Sequence, residues 1–518
     1  MIKTLAAKYT HITSSNDSGI TLRNCGQGPF KSLREAGILL TTIDVSYQQQ
    51  PSIATTSLPS IATITAIDRI NSLIFQADAL VDYGREMLHA YPYKDVPSCW
   101  REFYTDAGIL KALALGFSAF RRQDKETANI ASQQEQGKLE MTKMLEEESL
   151  KLAIAVCDNV LVMAGASGSG RRDFVFEMIN YFETVIEAGQ ELTGDVTTHS
   201  APSAKRQKTS TTSTLTGAEN VKLGEEPLQG PIPEVRYPIA RVHLPAMEEF
   251  QQHVNGGGEE GTPGGPIIIT GGIDHWPARD RWTDLDLICR TAGPDRLVPI
   301  EIGSQYTDEK WTQKLVTMRE FIQTYILRQN HAMTNDESKD GKAVMEVGYL
   351  AQHDLFAQIP RLRRDIDIPD YCMIGPDDQE GYNPPDDVLL NAWFGPRGTV
   401  SPMHTDPYHN LLAQVVGRKY IRLYAPKETS KLYCFGDESQ NEAGREEEES
   451  QEGEGGSSML GNTSQVNVEE PDLERHPLFA KAEYVEAILG PGDMLYIPFQ
   501  WWHYIRSLST SFSVSFWF

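Results

Sequence analysis

With 72 acidic against 47 basic side chains in 518 residues, a formal net charge of −25, the chain is poorly suited to tracking a phosphate backbone, and no direct nucleic-acid partner is expected. The balance suits a basic protein or peptide partner instead. Six scattered cysteines without a Cys-x-x-Cys pair argue against a disulfide framework or zinc ribbon, and neither a leader-like start nor an apolar run near ~18 residues is present, which predicts a soluble intracellular protein with no membrane attachment.

Residues 1–62 are rich in Ser, Thr and Gln without a firm period, so a poorly ordered segment is expected there. From Ile64 the apolar spacing turns helical: Ile67, Ile70, Leu73 and Ile74, then Phe103, Ala107, Leu110 and Phe117. Leu145, Leu152, Val156 and Val160 form a third run, and Phe174, Met178, Phe182 and Ile186 a fourth. Together they predict an antiparallel helical domain over 63–194. Between the last two runs, Gly165 to Arg172 (GASGSGRR) carries phosphate-loop glycines but lacks the Lys-Ser/Thr and follows no strand, so it reads as a helix–helix turn. Residues 195–231 read as a flexible linker, in which Lys205, Arg206 and Lys208 form a basic cluster suited to nuclear import.

From Ile232 onward the pattern is of short strands. Pro266–Thr270, Pro299–Ile302, Val347–Ala351 and Val388–Phe394 each read as one, and Lys314–Leu327 reads as a helix. Residues 436–460 carry the run Glu446–Glu449 and further acids with almost no apolar residue, so a disordered acidic insertion is expected. Strand follows strand from Tyr484 to Phe518, where Ser511, Ser513 and Ser515 alternate with Phe512, Val514 and Phe516. The whole is an α+β chain whose second part is a barrel or sandwich.

The chemistry concentrates in Asn391–Tyr424, NAWFGPRGTVSPMHTDPYHNLLAQVVGRKYIRLY. His404 and Asp406 are two apart, so a strand would carry both side chains to one face. His503 sits in the late aromatic strand GDMLYIPFQWWHYIRS. Two imidazoles and one carboxylate on a β-scaffold are the ligand set of non-haem Fe(II) oxygenases, with coordination positions left open. Lys419 lies in a strand that otherwise reads as buried, and a buried cation needs an anion, which a dicarboxylic co-substrate would supply.

These residues, with NTSQVNVEEPDLERHPLFAKA, VPIEIGSQYTDEKW and GYLAQHDLFAQIP, resemble the JmjC family of Fe(II)- and 2-oxoglutarate-dependent oxygenases, within the cupins, and most closely its JmjC-domain-containing protein 5 (lysine demethylase 8) group. The resemblance covers 232–518 and implies a double-stranded β-helix. It implies Fe(II) held by His404, Asp406 and His503, with 2-oxoglutarate and dioxygen as co-substrates. Lys419 would meet the distal carboxylate of 2-oxoglutarate, with Asn410, Ser401 and Tyr349 as further contacts. Glu301 and Trp311 match positions that line the group's target pocket; Trp393 and Gln352 are further candidates. His409 reads as a surface or supporting residue rather than a ligand.

A carboxylate with indole walls suits a guanidinium, so hydroxylation of an arginine in a histone tail or ribosomal protein is the leading expectation. Histone lysine demethylation is the alternative within the same chemistry, and a metal-free scaffold for chromatin proteins the alternative outside it. A nuclear location is expected.

Overall fold

The computed structural model describes residues 2–13, 21–48, 61–123, 133–191, 215, 222–223, 232–256, 264–303, 311–328, 346–376, 381–435 and 461–518. The chain divides into two compact units: Met1–Ser210 with Asp295–Leu297, and Thr211–Pro294 with Val298–Phe518. The basic cluster at 205–208 and the acidic stretch at 436–460 lie outside the described residues.

The first unit is built from helices Ile2–Thr13, Gln27–Gln48, Ile61–His89, Ser98–Gln123, Gln133–Ala164 and Arg171–Glu191. Ser98–Gln123 is its spine, with Phe103, Leu110, Leu113 and Ala114 fully buried. Within 1–62, helices Ile2–Thr13 and Gln27–Gln48 depart from the expected disorder. Leu33, Ala36, Leu40 and Ile43 repeat at three and four spacing and are buried, and Leu5, Ala6 and Tyr9 join the same core. Arg34, Glu35, Thr41 and Thr42 interleave with that stripe, and Ile38 and Leu39 blur its edge in the sequence without breaking it. In Gln133–Ala164 the predicted Val156 and Val160 are buried with Leu150, Ile154, Cys157 and Leu161, while Leu145 and Leu152 are exposed, so half of the predicted face meets the core.

The glycine-rich turn joins two helices, as its sequence indicates. Gly168 has φ +105°, and a Cβ there would lie within 3 Å of the Arg171 side chain. Gly168 makes room for an arginine side chain.

The second unit holds thirteen strands among the described residues. Nine form one sheet: β1 (Ala240–His243), β2 (Ile267–Thr270), β3 (Leu297–Ile302), β4 (Thr312–Thr317), β5 (Gly348–His353), β6 (Leu389–Gly395), β8 (Asn410–Val416), β11 (Asp493–Ile497) and β13 (Ser511–Trp517). Four form the other: β7 (Val400–His404), β9 (Lys419–Tyr424), β10 (Tyr484–Leu489) and β12 (Trp502–Ser507), in the order β10-β9-β12-β7. This is the β-rich cupin architecture that the resemblance implies. Uninterrupted apolar runs such as Ile267–Ile269 and Leu411–Ala413 suit strands covered on both faces.

Three local readings change. Lys314–Leu327 is not one helix: β4 ends at Thr317, whose hydroxyl caps Glu320 N at 3.1 Å, and a wide helical turn, Phe321–Leu327, follows. Within the stretch read as linker, Leu215 and Leu223 are buried, and Leu223 N–H donates to Thr283 O at 2.8 Å. Two isolated leucines are too short a signal for a periodicity argument. The serine face of β13 is also buried, its hydroxyls satisfied internally: Ser513 Oγ donates to Gln414 Oε1 at 2.7 Å, and Gln414 Nε2 donates to Val416 O at 2.7 Å.

Candidate active site

His404 ends β7 and His503 lies in β12, directly opposite it in the antiparallel register. Asp406 lies two residues beyond the end of β7, so a turn, not strand alternation, delivers it to the same point. His404 Nε2 stands 3.7 Å from one Asp406 oxygen and His503 Nε2 3.5 Å from the other. One ligand atom from each of the three lies within 4.8 Å of the rest.

Each ring is oriented from behind. Nδ1 of His404 is 2.7 Å from Pro402 O, and Nδ1 of His503 is 3.1 Å from Trp501 O. A carbonyl beside Nδ1 accepts a hydrogen bond from Nδ1–H and favours the tautomer that leaves the Nε2 lone pair toward Asp406, as at metal-bound histidines. Burial, helped by the neighbouring His404, lowers the His503 pKa to about 4, against the pull of Asp406, so its imidazole stays neutral and fit to ligate.

The cleft holding these groups is narrow and is walled by both sheets. Ser401, His404, Lys419, His503 and Ile505 come from the four-stranded sheet and its edges; Tyr349, Trp393, Asn410 and Leu412 come from the other. Lys419 follows the turn Gly417-Arg418, in which Gly417 has φ +76° and a Cβ would collide with Thr510 O. Lys419 is 1% exposed, its Nζ donates to the Tyr349 hydroxyl at 3.2 Å, and it makes no ion pair among the described residues. Burial alone lowers its pKa to about 7. The Tyr349 hydroxyl also meets Ser401, and its pKa is raised by burial and by nearby Glu301. Asn410 has a buried amide oxygen with no hydrogen-bond partner.

These residues fit the groups that the resemblance implies. The two imidazoles and the carboxylate match Fe(II). The unpaired Lys419 ammonium and the unsatisfied Asn410 amide leave polar needs that an anionic co-substrate would meet.

The pocket residues divide. Trp393 lines the cleft, and its Nε1 donates to Ser515 Oγ at 3.0 Å. Glu301 pairs with Tyr349 in the β3–β5 register and accepts from Trp311 Nε1 at 3.3 Å, and neither Glu301 nor Trp311 is among the residues lining the cleft. Burial raises the Glu301 pKa. Gln352 is exposed at φ +45° beside an irregularity in the β5–β6 ladder, and it does not line the cleft. His409 is fully buried, with its pKa lowered by burial to about 4. Its Nδ1 accepts from Phe499 N–H at 3.1 Å, the supporting role expected of it. Leu412 and Ile505 are cleft walls that sequence reasoning missed. Both sit in apolar runs where nothing distinguishes a cleft-facing residue from a core-facing one.

Facing sheets with a convergent His-x-Asp…His set define a class, the cupin-fold oxygenases, and the comparisons with known proteins agree. A family model described as a cupin-like domain matches residues 261–518. The chain is 36% identical to "Lysine-specific demethylase 8" of Xenopus tropicalis over 459 residues, 85% of this chain and 87% of that one. It is 42% identical to "Jumonji C domain-containing protein 5" of Drosophila melanogaster over 279 residues, 54% and 59% of the two chains. It is 44% identical to "Lysine-specific demethylase JMJ30" of Arabidopsis thaliana over 255 residues, 49% and 50%. The chain belongs to this JmjC, cupin-like family and is a 2-oxoglutarate-dependent oxygenase of the demethylase or hydroxylase kind. The 85% coverage carries the likeness beyond 232–518 into the helical part. Membership also sets aside the metal-free scaffold.

Proposed function

We propose that the chain hydroxylates an arginine side chain in a basic nuclear or ribosomal protein. The observation that carries this reading is Glu301: a carboxylate withdrawn from water, braced by the Trp311 indole and adjacent to Tyr349 at the cleft wall. A guanidinium would meet it with two parallel N–H donors and could stack on an indole face, an arrangement that an ammonium cannot copy.

In this reading His404, Asp406 and His503 hold Fe(II). Lys419 pairs with the distal carboxylate of 2-oxoglutarate, and Tyr349, Ser401 and Asn410 complete its cradle. When bound, iron with 2-oxoglutarate and dioxygen supplies oxidation of a C–H bond, releasing succinate and carbon dioxide. Leu412 and Ile505 keep water from the reacting end, and Trp393 sets the side chain's approach.

A second reading, removal of a methyl group from a histone lysine, is favoured by the printed names of the frog and Arabidopsis relatives. Mass spectrometry of arginine and methyl-lysine peptides after incubation with Fe(II), 2-oxoglutarate and the protein separates the two. A gain of one oxygen on arginine supports the proposal; loss of a methylene from methyl-lysine without it overturns the proposal. Glu301→Gln tests the same point from the protein side. Peptide-dependent turnover should fall steeply, while slow peptide-independent consumption of 2-oxoglutarate survives. Equal loss of both would assign Glu301 to the fold or the iron site.

A further inference from the structure

β7, which ends in His404, lies at the edge of the four-stranded sheet, and its pairing with β12 is interrupted between His503 and Ile505. An edge strand held on one side by an irregular ladder is a poor mount for a metal ligand. A segment with no strand assignment supplies the other side. Thr463 bridges to His404, and Ser464 N–H donates to Met403 O at 2.8 Å. Asn462 grips Thr405, the residue between the two ligands, at both backbone groups. Thr405 N–H donates to Asn462 O at 3.0 Å, and Asn462 Nδ2 donates to Thr405 O at 2.9 Å.

Seven residues on, the same segment reaches β12. Glu469 takes the Arg506 guanidinium in a fork at 2.5 and 2.9 Å and the Tyr504 hydroxyl at 2.6 Å. Tyr504 and Arg506 alternate with the cleft-lining His503 and Ile505, so Glu469 holds β12 from the face away from the cleft. The segment is itself anchored: Gln465 N–H donates to Tyr433 O at 2.9 Å and Phe435 N–H to Thr463 O at 2.9 Å.

We propose that Asn462–Glu469 is a strap that sets the separation of the two histidine-bearing strands, with Asn462 and Glu469 as positioning residues for the metal. The strap rests on the metal-site reading of the triad. Fixing His404 and Asp406 from one end and His503 from the other preorganises the three ligands before the ion arrives. The anchored stem at Tyr433–Phe435 also explains how a 25-residue acidic insertion, 436–460, is compatible with an intact triad.

The test is titration of the full-length apoprotein with Co(II), read by visible absorption, alongside its thermal midpoint. Asn462→Ala and Glu469→Gln should each raise the Co(II) dissociation constant about tenfold, the effect expected when an orienting partner is lost. Asn462→Asp, equal in size but lacking the N–H donor, should behave as Asn462→Ala does. Lys427→Ala, which removes an exposed pair with Glu483, should leave binding unchanged. Lowered thermal midpoints with Co(II) affinity and band positions unchanged in both strap variants would overturn the proposal. So would wild-type affinity in Asn462→Asp. His503→Ala keeps the two readings apart: if it binds Co(II) as the wild type does, the metal site itself is wrong, whereas if it alone loses binding, only the strap is.

Discussion

Each unit of the chain buries a cation, and the two are treated differently. In the helical unit Arg171 Nε and Nη2 meet the two Asp106 oxygens at 2.7 and 2.8 Å, with both side chains 1% exposed. Burial works against the Arg171 charge, and the hydrogen bonds and charge of Asp106 more than offset it, so its pKa ends above the usual value. In the β-rich unit Lys419 is equally buried but meets a hydroxyl, and its pKa falls to about 7. A buried charge closed by its own chain is architecture; one left open beside a cleft leaves room for a ligand to close it.

The largest effect should come from the site's centre. His503→Ala removes one of three metal ligands, so turnover should be abolished while the thermal midpoint stays near wild type, because β12 packs through Trp502 and Tyr504. Full activity in this variant would dissolve the site. Next is Arg171→Met, which strands Asp106 in the helical core and should cost about 3–5 kcal/mol in chemical denaturation followed by circular dichroism. Lys419→Met removes a charge without orphaning a partner, so the ligand-free protein should lose no stability. Comparable losses in the two variants would erase the contrast.

Lys419→Ala should raise the 2-oxoglutarate concentration needed for half-maximal turnover by about ten- to a hundredfold, the worth of one charge-assisted contact of roughly 1.5–3 kcal/mol. An unchanged requirement would return Lys419 to the class of Arg171.

How much of this was legible beforehand follows the same division. His404, His503 and Lys419 stand out because charged or metal-binding side chains in apolar strands demand a reason, and Asp406 stands out by its spacing from His404. Tyr349, Ser401 and Asn410 are common residues whose convergence depends on which strands face each other, and only the resemblance pointed to them. Gln352 illustrates the failure. A register irregularity between Leu350 and His353 puts it outside the cleft, and ladder irregularities leave no trace in a period-2 pattern. The early helices were missed for another reason: Leu33, Ala36, Leu40 and Ile43 are correctly spaced, but Ile38 and Leu39 put apolar residues on other faces and blur the period. Asn462 and Glu469 fall in a stretch that carries the resemblance, but nothing there points to their role, which depends on contacts with residues 57 and 37 positions away.

The smallest effect is the most discriminating, because Arg171 cannot show it. Lys419 has a pKa of about 7 when the cleft is empty, against 10.5 ordinarily. Binding a dicarboxylate requires the ammonium, so above pH 7 the free protein must first take up a proton, and apparent 2-oxoglutarate affinity should weaken by up to about tenfold per pH unit. The sign for stability is opposite. Between about pH 7 and 10.5 the unfolded chain holds a proton on this lysine that the folded, ligand-free chain has released, so this group's contribution to stability rises with pH across that window. Isothermal titration of the metal-loaded protein with 2-oxoglutarate at pH 6.5, 7.5 and 8.5 reads the first effect, and denaturation of the ligand-free protein at the same pH values reads the second. In Lys419→Ala the affinity slope should vanish and the stability slope should fall by this group's share. A wild-type protein whose 2-oxoglutarate affinity is flat from pH 6.5 to 8.5 would mean that Lys419 keeps its proton in the empty cleft, and the contrast with Arg171 would then lie in geometry alone.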